Sequence, residues 1–561
     1  MAISVFVICC RRLSIYRAHV LIGGITLAGR FASVFSDVLG RFNKWRVILL
    51  VILLMYAAFL ALYLDYALIQ WDETQHLVGG LHLSRGQFQD YLHFSYYPPL
   101  FDATTALAYI LMGPSLFAAR LVSLAFGVLS VWAVFEYAYH MYGPKQAILS
   151  SVMLATMPGF IILCRMVLIE TMLLFFFSVS LLLFFSWLQT NNERMLILSG
   201  VALGLGVIAK YQTIVGGVVM LVSGFLMFRK RLTRNIRKFV LLAIVAAAIV
   251  VPWLLVMYQQ ITPEDIARWF YTVSSGSDER VEYGKRIPLP IFYLVEMTYP
   301  YMDLHPISLP IYIIAFLGLS YWIWRRKPED KFSLIWFIVV YVFYTLFISN
   351  RNWRYVIPLF SVLAVSASDF ILLIWNKLTA PIKAQQTKRN SMLLHKIAAA
   401  FFVLLIATSF IYSLMNAYYW VEKEHVQVRV KAASQYLSEN SGADEAAVLL
   451  FPVNYFSPDA VNFYLLQYDS SQRVLLEYPK DPADVYTPVF NETVLIQQCE
   501  SLNVKFLLLY ENGNKTYYQT DMKAYDALDM LVNSGNFMLE TIFGSSPQQV
   551  YVIRYLLNAT E

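Results

Sequence analysis

Trp71-Asp72-Glu73-Thr74 sets two adjacent carboxylates between the first and second hydrophobic runs of this chain, and Tyr96-Tyr97-Pro98-Pro99-Leu100 follows in the same interval. A carboxylate pair beside a bilayer costs desolvation and like-charge repulsion, which suits a proton, a metal or a substrate hydroxyl better than packing. A solvated acidic loop is the plain alternative, since exposed Asp-Glu pairs are common. Further charges weigh against it. Arg120 begins the second run, Arg165 and Glu170 stand at the start of the fourth, Lys210 separates two apolar runs, and Arg351 and Arg354 fill the short loop before the tenth. Taken singly they have structural readings: Arg165 with Glu170 as a buried pair, Lys210 as a snorkelling side chain. Five cations on one membrane face ask for an anionic ligand, and phosphate is the one that best uses arginine forks together with a point-charge lysine.

The elements that must hold these residues are membrane helices. Of 561 residues, 58% are hydrophobic, 16% aromatic and only 14% charged; with a mean hydropathy of +0.55, the chain is too apolar for an ordinary soluble surface. By the criterion of roughly 20 apolar residues per crossing, about eleven spans emerge. They are 45–64, 115–139, 146–163, 168–188, 195–209, 213–228, 239–258, 307–324, 332–348, 355–375 and 397–418. Basic residues collect in a few short loops, namely Arg41, Lys44 and Arg46; Arg229 to Lys238; Arg325 to Lys331; and Lys377 to Lys396. All fall on one side of that arrangement, which the topology rule makes cytoplasmic. The acidic loop, the loop 259–306 and the tail from Trp420 then face outward. Sequons at Asn491, Asn514 and Asn558 all lie in that tail and agree with it. A net charge of +6 with this placement argues against nucleic-acid binding. Four cysteines, at 9, 10, 164 and 499, show neither a metal spacing nor a disulfide framework.

The chain divides into a cytoplasmic N-terminal segment 1–44, a transmembrane domain 45–419 and an extracytoplasmic domain 420–561. In the last, short apolar runs at 447–451, 463–466, 505–510 and 550–553 read as buried strands, and 426–437 and 525–533 carry helical spacing. A small α/β domain follows, of a size that can form its own core.

Asp72-Glu73 after the first span, Tyr97-Pro98-Pro99-Leu100-Phe101, and Ala119-Arg120-Leu121-Val122-Ser123 with Phe126-Gly127 resemble the polyprenyl-phosphate-sugar glycosyltransferases of the GT-C superfamily. These are the protein O-mannosyltransferases and the lipid A aminoarabinose transferases. Arg165 to Glu170, Gly204 to Lys210, and Arg354-Tyr355 with Pro358 continue the resemblance over roughly residues 45–375. Two positions depart from it. The aminoarabinose branch has a lysine before its Pro-Pro where this chain has Tyr97, and the Trp-Trp-Asp motif of oligosaccharyltransferase relatives is missing from the tail.

The resemblance implies a membrane enzyme of GT-C type that moves one sugar from a polyprenyl phosphate to an extracytoplasmic hydroxyl on protein, lipid or glycan, with inversion. The chemistry fits the residues. A hydroxyl is a poor nucleophile, so a carboxylate must take its proton, assigned here to Asp72. The phosphate leaving group gains charge and needs cations, for which Arg120, Lys210, Arg351 and Arg354 are candidates. Glu73 would orient the acceptor or Arg120, Glu170 would hold Arg165, and Tyr97 and Tyr355 join the substrate set by resemblance. His76, His82 and His93 share the acidic loop, but lone loop histidines are seldom ligands and no tetrahedral set is present. No cofactor is assigned, and a divalent metal stays open. A transporter of an anionic substrate is the competing class; its hallmark of two related halves with interrupted helices is not found.

Overall fold

The structure, a computed structural model, describes residues 44–65, 71–94, 97–234, 236–260, 262–263, 286–299, 304–348, 351–384, 389–424, 429–442, 445–450, 456–468, 474–478, 490–511, 522–546 and 548–556. The N-terminal segment, most of the loop 259–306, and the sequons at Asn514 and Asn558 lie outside them.

The chain opens with α1 (Lys44–Leu60), followed by three short helices, α2 (Trp71–Ser84), α3 (Phe88–Phe94) and α4 (Leu100–Met112). Next come α5 (Leu116–Met141), α6 (Pro144–Ala155), α7 (Pro158–Arg165), α8 (Glu170–Thr190), α9 (Glu193–Ala209), α10 (Ile214–Arg234) and α11 (Ile236–Gln260). A five-residue α12 (Phe292–Glu296) precedes α13 (Leu309–Arg325), α14 (Pro328–Phe347), α15 (Pro358–Ala384) and α16 (Arg389–Glu424). Every expected span has its helix or helix pair here. Among the described residues seven helices are long and apolar enough to cross a membrane, and α6 with α7 forms a bent pair that makes an eighth. The helices at the other expected positions, α1, α9 and α13, are 17 residues each, short of that length. The expected single span 146–163 breaks because Pro158 has no N–H to continue a helix; α7 starts there and turns by 66°. Local signals set other ends: Ser115 caps α5 through Ala118 N, and Asn191 in the left-handed conformation stops α8.

The segment expected as an acidic loop is helical. Leu77, Val78 and Leu81 recur at helical spacing on α2 and are buried, so the carboxylates occupy its first turn, where the helix dipole favours negative charge. Gly79-Gly80 is where α4 approaches. A Cβ on Gly79 would lie 3.0 Å from Asp102 Oδ2, and one on Gly80 would lie 2.7 Å from Thr105.

After α17 (Val430–Asn440) the tail runs β1 (Ala446–Leu450), α18 (Pro458–Tyr468), β2 (Leu475–Tyr478), α19 (Glu492–Ser501), β3 (Val504–Tyr510), α20 (Ala524–Asn533), β4 (Phe537–Ser545) and β5 (Gln548–Tyr555). The sheet order is β2-β1-β3-β5-β4, with β1 parallel to β2 and β3, and β5 antiparallel to β3 and β4. The run 463–466, expected as a strand, belongs instead to α18, which Pro458 starts. Alternation splits the sheet faces. Val448, Leu507 and Ile553 bury against α19 and α20, while Leu449, Leu508 and Val552 share a core with α17 and α18. That second core is continuous with Leu77, Leu81, Phe101 and Tyr109 of α2 and α4. The Tyr109 and Phe463 rings lie 6.4 Å apart, and Arg85 Nη2 donates to Leu466 O at 2.7 Å. A fully buried phenylalanine contributes about 1.5–3 kcal/mol, so α18 is anchored to α4 and to α2, the helix that carries the acidic pair.

Candidate active site

Adjacent on α2, Asp72 and Glu73 point to different environments. Glu73 is fully buried; its carboxylate takes Nε and Nη2 of Arg120 at 3.0 and 2.9 Å and the Val167 N–H at 2.8 Å. Arg120, 1% exposed, also donates Nη1 to Leu64 O at 3.0 Å. The pair ties α2 to α5 and to the approach of α8. Asp72, whose side chain is 50% exposed, accepts Nη2 of Arg354 at 2.6 Å. Arg354 rides on the 3-10 turn Trp353–Val356, which Asn352 caps. Burial works against the charge on Arg354, but Asp72 first, then Glu170 and Tyr355, outweigh it and hold the guanidinium well above its ordinary range.

Glu170 opens α8 and accepts Lys210 Nζ at 3.0 Å; Lys210 in turn stands 5.3 Å from the Tyr355 ring centre. Lys210 occupies the end of α9 in extended backbone, so its side chain leaves the helix sideways into this cluster. The structure thus brings together Asp72, Arg354, Glu170, Lys210 and Tyr355. A half-exposed carboxylate accepts from Arg354, whose charge also reaches Glu170, the partner of Lys210.

Other expected site residues are placed elsewhere. Glu170, expected to hold Arg165, pairs with Lys210 because α9 ends against it; Arg165 Nη1 instead donates at 2.6 Å to the carbonyls of Leu60, the last residue of α1, and Leu62 just beyond it. Arg120 is turned to Glu73. Arg351 stacks over Phe292 at 5.7 Å. Tyr97 lies 5.0 Å from the ring of His76. His76, set aside as a loop histidine, is 2% exposed and its Nδ1 lies 2.6 Å from Asp102 Oδ1. Its spacing of four from Asp72 was the available signal, legible only once α2 is known to be a helix. Among the described residues no group of three or more His, Cys, Asp or Glu could hold a metal ion.

The architecture is now defined: a multi-pass membrane protein with a small α/β tail. Residues 97–256 match the family model of dolichyl-phosphate-mannose-protein mannosyltransferase. Among solved structures, ArnT from Cupriavidus metallidurans in the apo state matches with a TM-score of 0.62 at 15% identity, covering 91% of this chain and 97% of that one. The same protein bound to undecaprenyl phosphate gives 0.61 at 14%, covering 92% and 99%. The archaeal oligosaccharyltransferase AglB from Archaeoglobus fulgidus, in complex with an inhibitory peptide and a dolichol-phosphate, gives 0.51 at 15%, covering 82% and 69%. No curated protein sequence matches the chain.

Proposed function

We propose that this protein is a glycosyltransferase that moves a single sugar from a polyprenyl (dolichyl-type) phosphate to a hydroxyl on a protein, lipid or glycan acceptor. The observation that carries it is Asp72, a half-exposed carboxylate linked to Arg354 at 2.6 Å beside the Glu170–Lys210 pair. Asp72 takes the acceptor hydroxyl proton as that oxygen attacks the anomeric carbon and the sugar–phosphate bond breaks. Arg354 and Lys210 meet the charge that develops on the leaving phosphate. With one base and a direct displacement the anomeric centre inverts. Glu73 with Arg120, and Arg165, hold α2 and α1 in place around the reaction, while Tyr97, Tyr355 and Arg351 line its edges. The fold shared with proteins that bind undecaprenyl phosphate and dolichol-phosphate supports the lipid-phosphate donor. The basic loops support a site and tail on the extracytoplasmic face of the cell membrane.

Membranes carrying the protein, offered a panel of radiolabelled polyprenyl-phosphate sugars, should release label into protein, lipid or glycan from one of them. An Asp72→Asn chain should not. A parallel arm with a chelator decides whether a divalent cation is needed. Label transfer from none of the panel would overturn the assignment.

A further inference from the structure

One buried polar junction takes no part in the contacts assigned so far. His76 Nδ1 meets Asp102 Oδ1 at 2.6 Å, and Tyr91 of α3 donates its hydroxyl to Asp102 Oδ2 at 3.1 Å. Asp102 is fully buried, and among the described residues His76 is its only basic partner. A carboxylate can only accept, so the proton between them sits on Nδ1, and in the neutral ring the lone pair lies on Nε2. Nε2 has no hydrogen-bond partner among the described residues. The ring is wedged by Tyr97 at 5.0 Å and Phe101 at 4.9 Å, which limits its rotation. Oriented by one nitrogen and open at the other, it has the arrangement by which proteins hold a histidine ready for a ligand. Residues four apart share a helix face at about 6 Å, so His76 lies one turn from Asp72 on the side of α2 that carries the proposed base. Gly79, one turn nearer the α2 end, admits the Asp102 carboxylate that fixes the ring.

We infer, resting on the assignment of glycosyl transfer to this site, that His76 is a further substrate-contacting residue whose Nε2 accepts a hydrogen bond from a substrate hydroxyl beside Asp72. That hydroxyl keeps its proton; the proton released in transfer goes to Asp72. It belongs either to the acceptor or to the sugar being moved, and both present the same chemistry to an unprotonated ring nitrogen. Asp102 is a positioning residue that acts only through His76.

Asp102→Asn separates this role from a simple tie between α2 and α4. Tyr91 donates to Oδ2, so the amide oxygen of the variant will settle there and its NH2 will face Nδ1. The hydrogen bond survives, but the ring proton moves to Nε2, which can then no longer accept. In the purified full chain, Asp102→Asn and His76→Asn should each lose about 10-fold or more in kcat/KM while melting close to wild type. His140→Asn, at a half-exposed histidine on α5, should lose nothing. A loss confined to acceptor KM assigns the hydroxyl to the acceptor; a loss that persists when water replaces the acceptor assigns it to the donor sugar. Turnover of Asp102→Asn within twofold of wild type, or falling only with the folded fraction, overturns the inference. Undecaprenyl phosphate, which carries no sugar, should raise the melting temperature of wild type and both variants alike. Failure to do so in wild type would instead sink the lipid-phosphate reading and take this inference with it.

Discussion

Asp72 and Glu73 are neighbours with the same chemistry, each paired to an arginine, yet one pair is sealed and the other is open. The Glu73–Arg120 pair has side chains 0% and 1% exposed and every strong contact satisfied; Asp72–Arg354 has 50% and 16%. A sealed ion pair is a structural commitment, because either charge left alone in the interior is costly. An open one can exchange its partner for a substrate. The difference follows from helical geometry: consecutive residues of α2 point about 100° apart, so one carboxylate enters the packing with α5 and the other stays on the cluster side.

Removing one member of the sealed pair should have the largest effect. Glu73→Gln leaves the Arg120 guanidinium uncompensated and should cost about 3–5 kcal/mol of stability, read as lost folded yield and a lower denaturation midpoint. Wild-type stability for this variant would erase the contrast. Asp72→Asn should fold and bind donor normally but lose about 100-fold or more in turnover, since a positioned base typically supplies that much. Activity within a few-fold would remove Asp72 as the base. Arg354→Lys keeps the charge but loses the planar fork, and turnover should fall by about 10-fold or more because hydrogen bonds between charged groups are worth about 1.5–3 kcal/mol. Its control is Arg326→Lys, exposed at the end of α13 and expected within about 0.5 kcal/mol of wild type. The adjacent Arg325 would mislead as a control: it bridges Asp330 at 2.6 Å and Asp369 at 2.7 Å.

The smallest effect is a labelling one. With Cys9 and Cys10 replaced, Asp72→Cys should react with an impermeant maleimide from the extracytoplasmic side only. Cys499 adds no background, because burial first and Glu500 second push its thiol up to about 12. Labelling of residue 72 from the cytoplasm would reverse the orientation.

The membrane helices were legible because hydrocarbon demands long apolar runs, and the carboxylates at 72 and 73 stood out because a charge near a bilayer is expensive. Partner choice was not legible. Asp72 and Arg354 are 282 residues apart, and whether Glu170 meets Arg165 or Lys210 depends on how α8 and α9 cross, which no local pattern records. The α2–α4 segment, expected as an acidic loop, is helical, and Gly79-Gly80 serve a close helix approach there. In the tail, 463–466 is apolar enough for a buried strand, and short apolar runs of that kind do not distinguish strand from helix.

Arg85 and Leu466, joined by a hydrogen bond at the seam between α2 and the tail, are separated by 381 residues of chain. At a synthesis rate of roughly 5–20 residues per second, α2 emerges about 20 to 80 s before the helix that covers it exists, given that 381-residue separation. Leu77, Leu81, Phe101 and Tyr109 must spend that interval against lipid headgroups, a chaperone or one another. The reaction half of the molecule is therefore completed by its last-made part, and a nascent chain arrested before residue 456 would carry the proposed base on an unfinished floor.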